Sequence, residues 1–289
     1  MATGTAEHID ATTAAEFIPV MYAKAALVAR EQKLCFAMGV NRQFENDAKW
    51  GDTINVRARS HLTAQTKDRD ANAATIYETI TETKTQITLG TWEYSAIAIE
   101  TATKRQVDRD MVEFYAPEQG YALALSVDDV LAGLVDDITN NVGTLAVENS
   151  YDEVLRAWQY LEDANAPEED RWFAVSPAAV TGFMKLEQYI NGDYKVLQGE
   201  RSSKSARDKA FIGAWMGIPI YKSTNVEGTN AAGHDNGLLQ KEALALVMQM
   251  KATFHQMFDV DYFALKVAVE HLYGTKEMRE DHACWIKGA

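Results

Sequence analysis

The run from Thr53 to Glu100 alternates for longer than one compact body can absorb. In "TINVRARSHLTAQTK" the residues Ile54, Val56 and Ala58 share one face, the period of a half-buried strand. "DRDANAA" interrupts the pattern and "TIYETITETKTQITLGTWEYSAIAIE" resumes it. Thr79, Thr81, Thr83 and Thr85 share a face there, good strand formers with little apolar surface. The pattern predicts a long hairpin, each arm of about 15 residues reaching about 50 Å at about 3.4 Å per residue. A compact chain of 289 residues has a radius of gyration near ~19 Å, hence a radius of only ~25 Å. A two-stranded ribbon with such thin faces is marginal alone. It has to project and find support outside its own core, most simply on another copy of the chain.

The flanking segments fit that layout. Residues 1–16 are small and polar and read as an arm. A helix follows over "FIPVMYAKAALVAREQKLCFAM", with Pro19 in its first turn, Leu27, Leu34 and Met38 at helical spacing, and Gly39 as its stop. In "NRQFENDAKWGDTINVR" Gly51 breaks the chain and Asp52 can cap the turn, so Trp50-Gly51-Asp52 launches the ribbon. Beyond the ribbon a charged helix runs from Thr101 towards Pro117. A second helix carries the apolar stripe Val127, Val130, Leu131, Leu134, Val135 and Ile138, and is expected to reach about Asn141.

An α/β alternation comes next: helix "YDEVLRAWQYLEDANA", strand "RWFAVS", a helix opening at Pro177, a basic loop, and strand-like "IGAWMGIPIYKSTNV". "LLQKEALALVMQM" reads as a return segment. The tail offers strand "ALKVAVEHLYG" and a last strand "ACWIK", expected to close a sheet with the hairpin base or the long helix. The class is α+β.

Charge narrows the function. Against 28 Lys and Arg stand 42 Asp and Glu, a net charge of −14, so broad, tight gripping of nucleic-acid phosphates is disfavoured. The exception is the loop holding Lys195, Arg201, Lys204, Arg207 and Lys209, which could face packaged nucleic acid or an acidic neighbouring subunit. Cys35 and Cys284 sit in apolar contexts and read as buried free thiols. No stretch approaches 18 uninterrupted apolar residues, and no secretory leader pattern opens the sequence.

Little points to catalysis or to a cofactor. His271, His282 and Cys284 form the one soft-ligand group, without a fourth ligand at a zinc-like spacing. The pairs Asp128-Asp129 and Asp136-Asp137 read as a solvated or subunit-facing helix surface. No P-loop, G-x-S-x-G or H-E-x-x-H pattern occurs.

Taken in order, five pieces resemble the major capsid proteins of tailed phages with the Hong Kong 97 (Johnson) fold. They are "FIPVMYAKAALVAREQKLCFAMGVNRQFE" followed by "WGDTINVR", "YALALSVDDVLAGL", "RWFAVSPAAVTGFM", "GIPIYKSTNV" and "YGTKEMREDHACWI". The resemblance runs from about Phe17 to the C-terminus. It implies an N-terminal arm over residues 1–45 and an extended loop over 46–100. A peripheral domain with a spine helix would take 101–149 and 251–289, and an α/β axial domain 150–250. Trp50, Asp52, Lys67, Asp68, Arg69, Asp70, Ile76 and Tyr77 would then touch a neighbouring subunit, and Val127, Val130, Leu134 and Ile138 would mark the spine helix.

The resemblance further implies hexamers and pentamers in an icosahedral virion shell around double-stranded DNA. Assembly would take place in the host cytoplasm, with a portal protein at one vertex and room for a decoration protein. Only about 16 residues precede the arm, so a separate scaffolding protein and little or no maturation cleavage are expected. Lys67 lies near the loop tip, but no lysine, asparagine and glutamate trio matches the covalent crosslink of some members. Two other readings stand beside this one: an encapsulin shell with the same fold, and a cytosolic α/β metalloenzyme using His271, His282 and Cys284.

Overall fold

A computed structural model describes residues 34–58, 62–67, 74–75, 77–80, 83–106, 111–185 and 210–288. From Gln32 onwards these residues belong to one compact unit. It is built on three sheets. Strands β1 (Thr53–Ala58) and β2 (Thr83–Thr88) form an antiparallel pair. Strand β3 (Thr91–Glu100) joins the antiparallel pair β10 (Leu244–Asp259) and β11 (Ala264–Glu277) in the order β10-β11-β3.

The third sheet is mixed and seven-stranded. Its order is β4 (Asn141–Gly143), β12 (Ala283–Gly288), β9 (Gly233–Gln240), β5 (Arg171–Val175), β7 (Ile218–Lys222), β6 (Phe211–Trp215). A short strand β8 (Gly228–Thr229) pairs with β9.

The helices are α1 (Phe36–Gly39), α2 (Thr101–Gln106), α3 (Met111–Ala132), α4 (Tyr151–Asp163) and α5 (Pro177–Phe183). Two of them start on local signals. Ser150 and Glu153 close a reciprocal capping box on α4, and the Ser176 hydroxyl accepts from the Ala179 amide with Pro177 in the first turn of α5.

The seven-stranded sheet separates two cores, and period two explains how. On β5, Trp172 and Ala174 enter one cluster with α1, α3 and the starts of β10 and the end of β11, while Phe173 and Val175 enter a second under α4 and α5. Strand β12 divides the same way, Ala283 and Trp285 to the first cluster, Cys284 and Ile286 to the second. That two-sided burial corrects the expectation for the last strand. It does not close a sheet with the hairpin base or the long helix but fills an interior place between β4 and β9.

Chain crossings tie the second and third sheets together. The β9-to-β10 turn and the β11-to-β12 connection lie side by side, and the Ala243 carbonyl accepts from the amides of Met278 at 2.8 Å and Arg279 at 3.2 Å.

Three further expectations change. Helices divided at Pro117 were expected, yet Pro117 lies inside α3. Downstream of it Gln119 Nε2 donates to the carbonyl of Ser95 at 3.1 Å, and Leu123, Val127 and Leu131 are buried, so packing on the β3–β11 sheet outweighs the local break. The helix ends at Ala132 rather than near Asn141. Leu134 and Ile138 therefore lie beyond it, in successive tight turns (Leu134 amide to Leu131 carbonyl, Ile138 amide to Val135 carbonyl) that keep a spacing of three and imitate a helical stripe.

Strand β3 is also not the return arm of the hairpin. The described ladder runs only from Thr53–Ala58 against Thr83–Thr88, after which Gly90 lets the chain leave and β3 pairs with β11. Ile97 and Ile99 account for the preference: they lie opposite Val267 and Leu265 and are covered by α3, burial that the threonine-rich arm cannot offer.

At Gly39 the reason for glycine is space. A Cβ there would come within 2.4 Å of the Trp172 ring, whose Nε1 donates to the Gly39 carbonyl at 3.1 Å. The expected helix over residues 17–38 lies outside the described residues, except for its final turn at α1.

Candidate intersubunit surfaces

The corner that launches the hairpin is tightly held, and its tryptophan is left outside. Gly51 takes a left-handed φ of 95°. Gln249 Nε2 donates to the carbonyls of Ala48 at 3.0 Å and Gly51 at 2.8 Å, and the Leu89 amide donates to the Asp52 carbonyl at 2.7 Å. Ala48, Ile87, Leu89, Ala245 and Val247 form a third small core that fastens the hairpin base to β10. Trp50, by contrast, is 90% exposed, as are Asp52 two positions on and Lys67 further along the hairpin.

Further out, residues 62–67 are exposed throughout, Leu62 among them, and Tyr77 and Ile80 are likewise bare. The Glu78 carboxylate accepts from the Thr63 hydroxyl, from Gln65 Nε2 and from the Thr63 amide, which holds its pKa below the ordinary range. Asp68, Arg69, Asp70 and Ile76 of the expected contact set lie outside the described residues. So do Lys195, Arg201, Lys204, Arg207 and Lys209.

A second apolar surface was not anticipated. Helix α3 covers one face of the three-stranded sheet along β3 and β11. The other face carries Trp92, Tyr94, Ala96 and Ala98 of β3, all exposed, in register with Leu272, Glu270, Ala268 and Lys266 of β11. Glu270 fixes this face from the middle: its Oε2 accepts from Trp92 Nε1 at 2.8 Å, and its Oε1 sits 2.8 Å from His255 Nε2. The period-two pattern of "TWEYSAIAIE" was legible, but which face lay open was not.

The soft-ligand group is dispersed. His271 is on β11, 3.0 Å from Glu93, and rests edge-on against Tyr273. His282 is in a single turn of 3₁₀ helix before β12, and Cys284 is buried within β12, where desolvation pushes its thiol up to about 12. Among the described residues no group of three or more His, Cys, Asp or Glu could hold a metal ion.

The acidic pairs separate. Asp128, read as solvated, is fully buried. Its carboxylate accepts from the amides of Ala37 at 3.1 Å and Cys35 at 3.4 Å and from Asn225 Nδ2 at 3.4 Å. Burial raises its pKa, and those donors offset part of the rise. A wheel projection could have found it: at about 100° per residue Asp128 lies only about 60° from Leu131, while Asp129 is about 160° away.

Asp129 and Asp136 instead join Glu227 and Asp235 in a carboxylate group. Desolvation first and then mutual repulsion raise the pKa of Glu227. For Asp235, desolvation again leads, and Trp285 Nε1 donating at 3.0 Å opposes it.

Glu277, at the end of β11, is held up to about 7 by burial, then by Glu280 and Asp137, and its Oε1 is buried without a hydrogen-bond partner. A raised carboxyl pKa favours the folded state most below the ordinary value, and the benefit fades as pH climbs through about 7. Glu277→Gln is therefore expected to stabilise the subunit at pH 8 by about 1 kcal/mol, a full-shift value of about 3 kcal/mol being discounted for solvent screening. The gain should vanish near pH 5. Melting temperatures across that range check it, and equal shifts at both ends would refute it.

Comparison with known proteins bears on this arrangement. No protein-family model matches the chain, and no curated protein matches it. Solved structures do. A structure from Mycobacterium phage Che8 superposes with a TM-score of 0.76 at 21% identity, over 93% of this chain and 97% of that one. The capsid structure of cyanophage P-SCSP1u gives 0.70 at 17% identity, over 96% and 94%. The mature capsid of bacteriophage PhiM1 gives 0.64 at 14%, over 93% and 92%. The chain has a phage capsid fold.

Proposed function

We propose that this chain is the major capsid protein of a tailed phage, which self-assembles into the icosahedral head enclosing double-stranded DNA. The observation that carries the reading is a fold match to phage capsid structures over 93% or more of the chain. The exposed surfaces support it. Trp50, Tyr77, Trp92 and Tyr94 are large aromatic side chains left in solvent, and a protein that works alone rarely exposes so many. In this reading residues 46–100 contain the loop that crosses a neighbour, α3 is the spine of the peripheral domain (101–149 and 251–289), and the axial domain (150–250) holds α4, α5 and strands β5 to β9. Copies meet as hexamers and pentamers, with a separate scaffolding protein during assembly in the host cytoplasm and a portal protein at one vertex of the virion. A net charge of −14 suits a container that touches its DNA weakly and without regard to sequence.

Electron microscopy of the expressed chain, with and without its scaffolding protein, tests this directly. Closed shells, or tiles of hexamers and pentamers, are expected. A persistent monodisperse monomer or dimer would overturn the reading.

A further inference from the structure

A cleft of about 650 Å³ lies between α4, the start of β5 and the turn from β6 to β7. Its apolar lining includes Trp158, Met216 and Pro219, and its acidic lining is Glu162, Glu168 and Asp170. The turn has a fixed shape. Met216 and Gly217 both take left-handed φ values, 49° and 80°, the pairing that joins adjacent antiparallel strands most tightly.

The basic residue in the lining, Arg171, is already engaged. It is 3% exposed, its Nη1 pairs with Glu162, and its Nε and Nη2 donate to the carbonyls of Pro167 and Ala166. Asp170 pairs with Lys241 at 3.4 Å, but both side chains are well exposed and such a pair is worth little. Glu168 is exposed and, among the described residues, joins no ion pair. Three carboxylates against one guanidinium leave the cleft net acidic, with an indole among them. That is the chemistry that holds an arginine or lysine side chain.

We propose that this cleft is a receptor for cationic side chains, and that it takes the chain's own segment Arg201–Lys209. The inference is independent of the reading of the chain as a shell subunit. Charge and tethering select the occupant. The segment carries Arg201, Lys204, Arg207 and Lys209 against Asp208 alone, in a chain of net charge −14. The chain after it enters β6 beside the cleft. Lys209 is followed by Ala210, which is buried, and by Phe211, whose ring meets Tyr221 edge-on at 5.9 Å. Tyr221 itself lines the cleft. The eight steps from Arg201 to Lys209 can span about 27 Å, while β7 (Ile218–Lys222) is only about 17 Å long, so the segment has the reach. Attachment to the same chain also gives it a high effective concentration over any free cationic partner. A basic segment paired within its own subunit adds little to the grip on DNA phosphates, which decides between the two roles open to it on sequence alone.

Carbodiimide coupling of the unassembled subunit, prepared as an equal mixture of unlabelled and heavy-nitrogen chains, provides the test. Mass spectrometry is expected to find amide bonds from Glu168 or Asp170 to Lys204 or Lys209, each within chains of one isotopic form. In parallel, Glu168→Lys should leave the melting temperature unchanged, because Glu168 is exposed. It should also speed tryptic cleavage after Arg201, Lys204 and Arg207 about fivefold, the effect of losing exposed ion pairs that hold the segment down. No coupling at these carboxylates, coupling that joins unlabelled to heavy chains, or an unchanged cleavage rate would each overturn the docking. None of these results touches the shell reading, which stands or falls on particle formation.

Discussion

Asp128→Ala is expected to destabilise the subunit by about 3 kcal/mol, the cost of leaving several buried donors without an acceptor at about 1 kcal/mol or more each. Those donors are the amides of Cys35 and Ala37 and the side chain of Asn225, drawn from segments 91 to 97 residues away. The carboxylate is thus the point where the segment Cys35–Ala37 is fastened to α3 and to the loop after β7. Asp128→Asn keeps one acceptor oxygen and removes a charge that burial disfavours, so it should cost less than alanine. Chemical denaturation measures the loss. Amide exchange localises it, with Cys35 and Ala37 expected to lose protection before Leu239 or Ile286 at the sheet centre. A change below about 1 kcal/mol for the alanine variant would show that the fastening lies elsewhere.

Removal of Leu62–Ile76 is expected to abolish stable shells while sparing the subunit fold. The described parts of that segment, residues 62–67 and 74–75, are exposed, and none of those residues enters a core cluster. What anchors the hairpin lies below it: the ladder of β1 with β2, and the cluster of Ala48, Ile87, Leu89, Ala245 and Val247. Residues 59–61 and 77–82 remain long enough to connect the two strands. The described part of the excised surface bonds only to Glu78 at the hairpin's own edge and enters no core, so its loss should be felt mainly between copies, by linkage of association to stability. An unchanged melting temperature for the isolated subunit, together with failure to form particles by electron microscopy, is the expected pair of results. Normal shells from the deletion would refute the assignment of the hairpin as an intersubunit element.

Local chemistry made much of the fold legible. Pro177 one residue after a serine marked the start of α5, and the alternation of "ALKVAVEHLYG" marked β11. The same alternation in "TWEYSAIAIE" marked β3 as a strand but not its partner. Pairing is decided by what covers each face, and the covering helix and β11 both lie elsewhere in the sequence. Pro117 misled for a related reason: its local penalty is real, but the contacts of Gln119 and Leu123 with the sheet are non-local. Among surface residues, the exposure of Trp50 and Tyr77 was legible, because a large aromatic on a polar ribbon has no core of its own to enter. The wheel position of Asp128 carried its burial, but its partners were not legible, because two of them are backbone amides of a distant segment, and an amide carries no sequence signature.

The doubled crossing at Ala243 has a mechanical consequence. Two backbone spans run between the sheets side by side, and one carbonyl clamps the second span to the first through Met278 and Arg279. Pulling the sheets apart loads both spans at once, and Trp172, Leu239, Leu244 and Tyr273 fill the space between as a shared pad. The subunit therefore carries load as a single stiff tile. In the proposed shell, any difference in tilt between neighbouring copies therefore falls on the contacts between subunits and not on this junction.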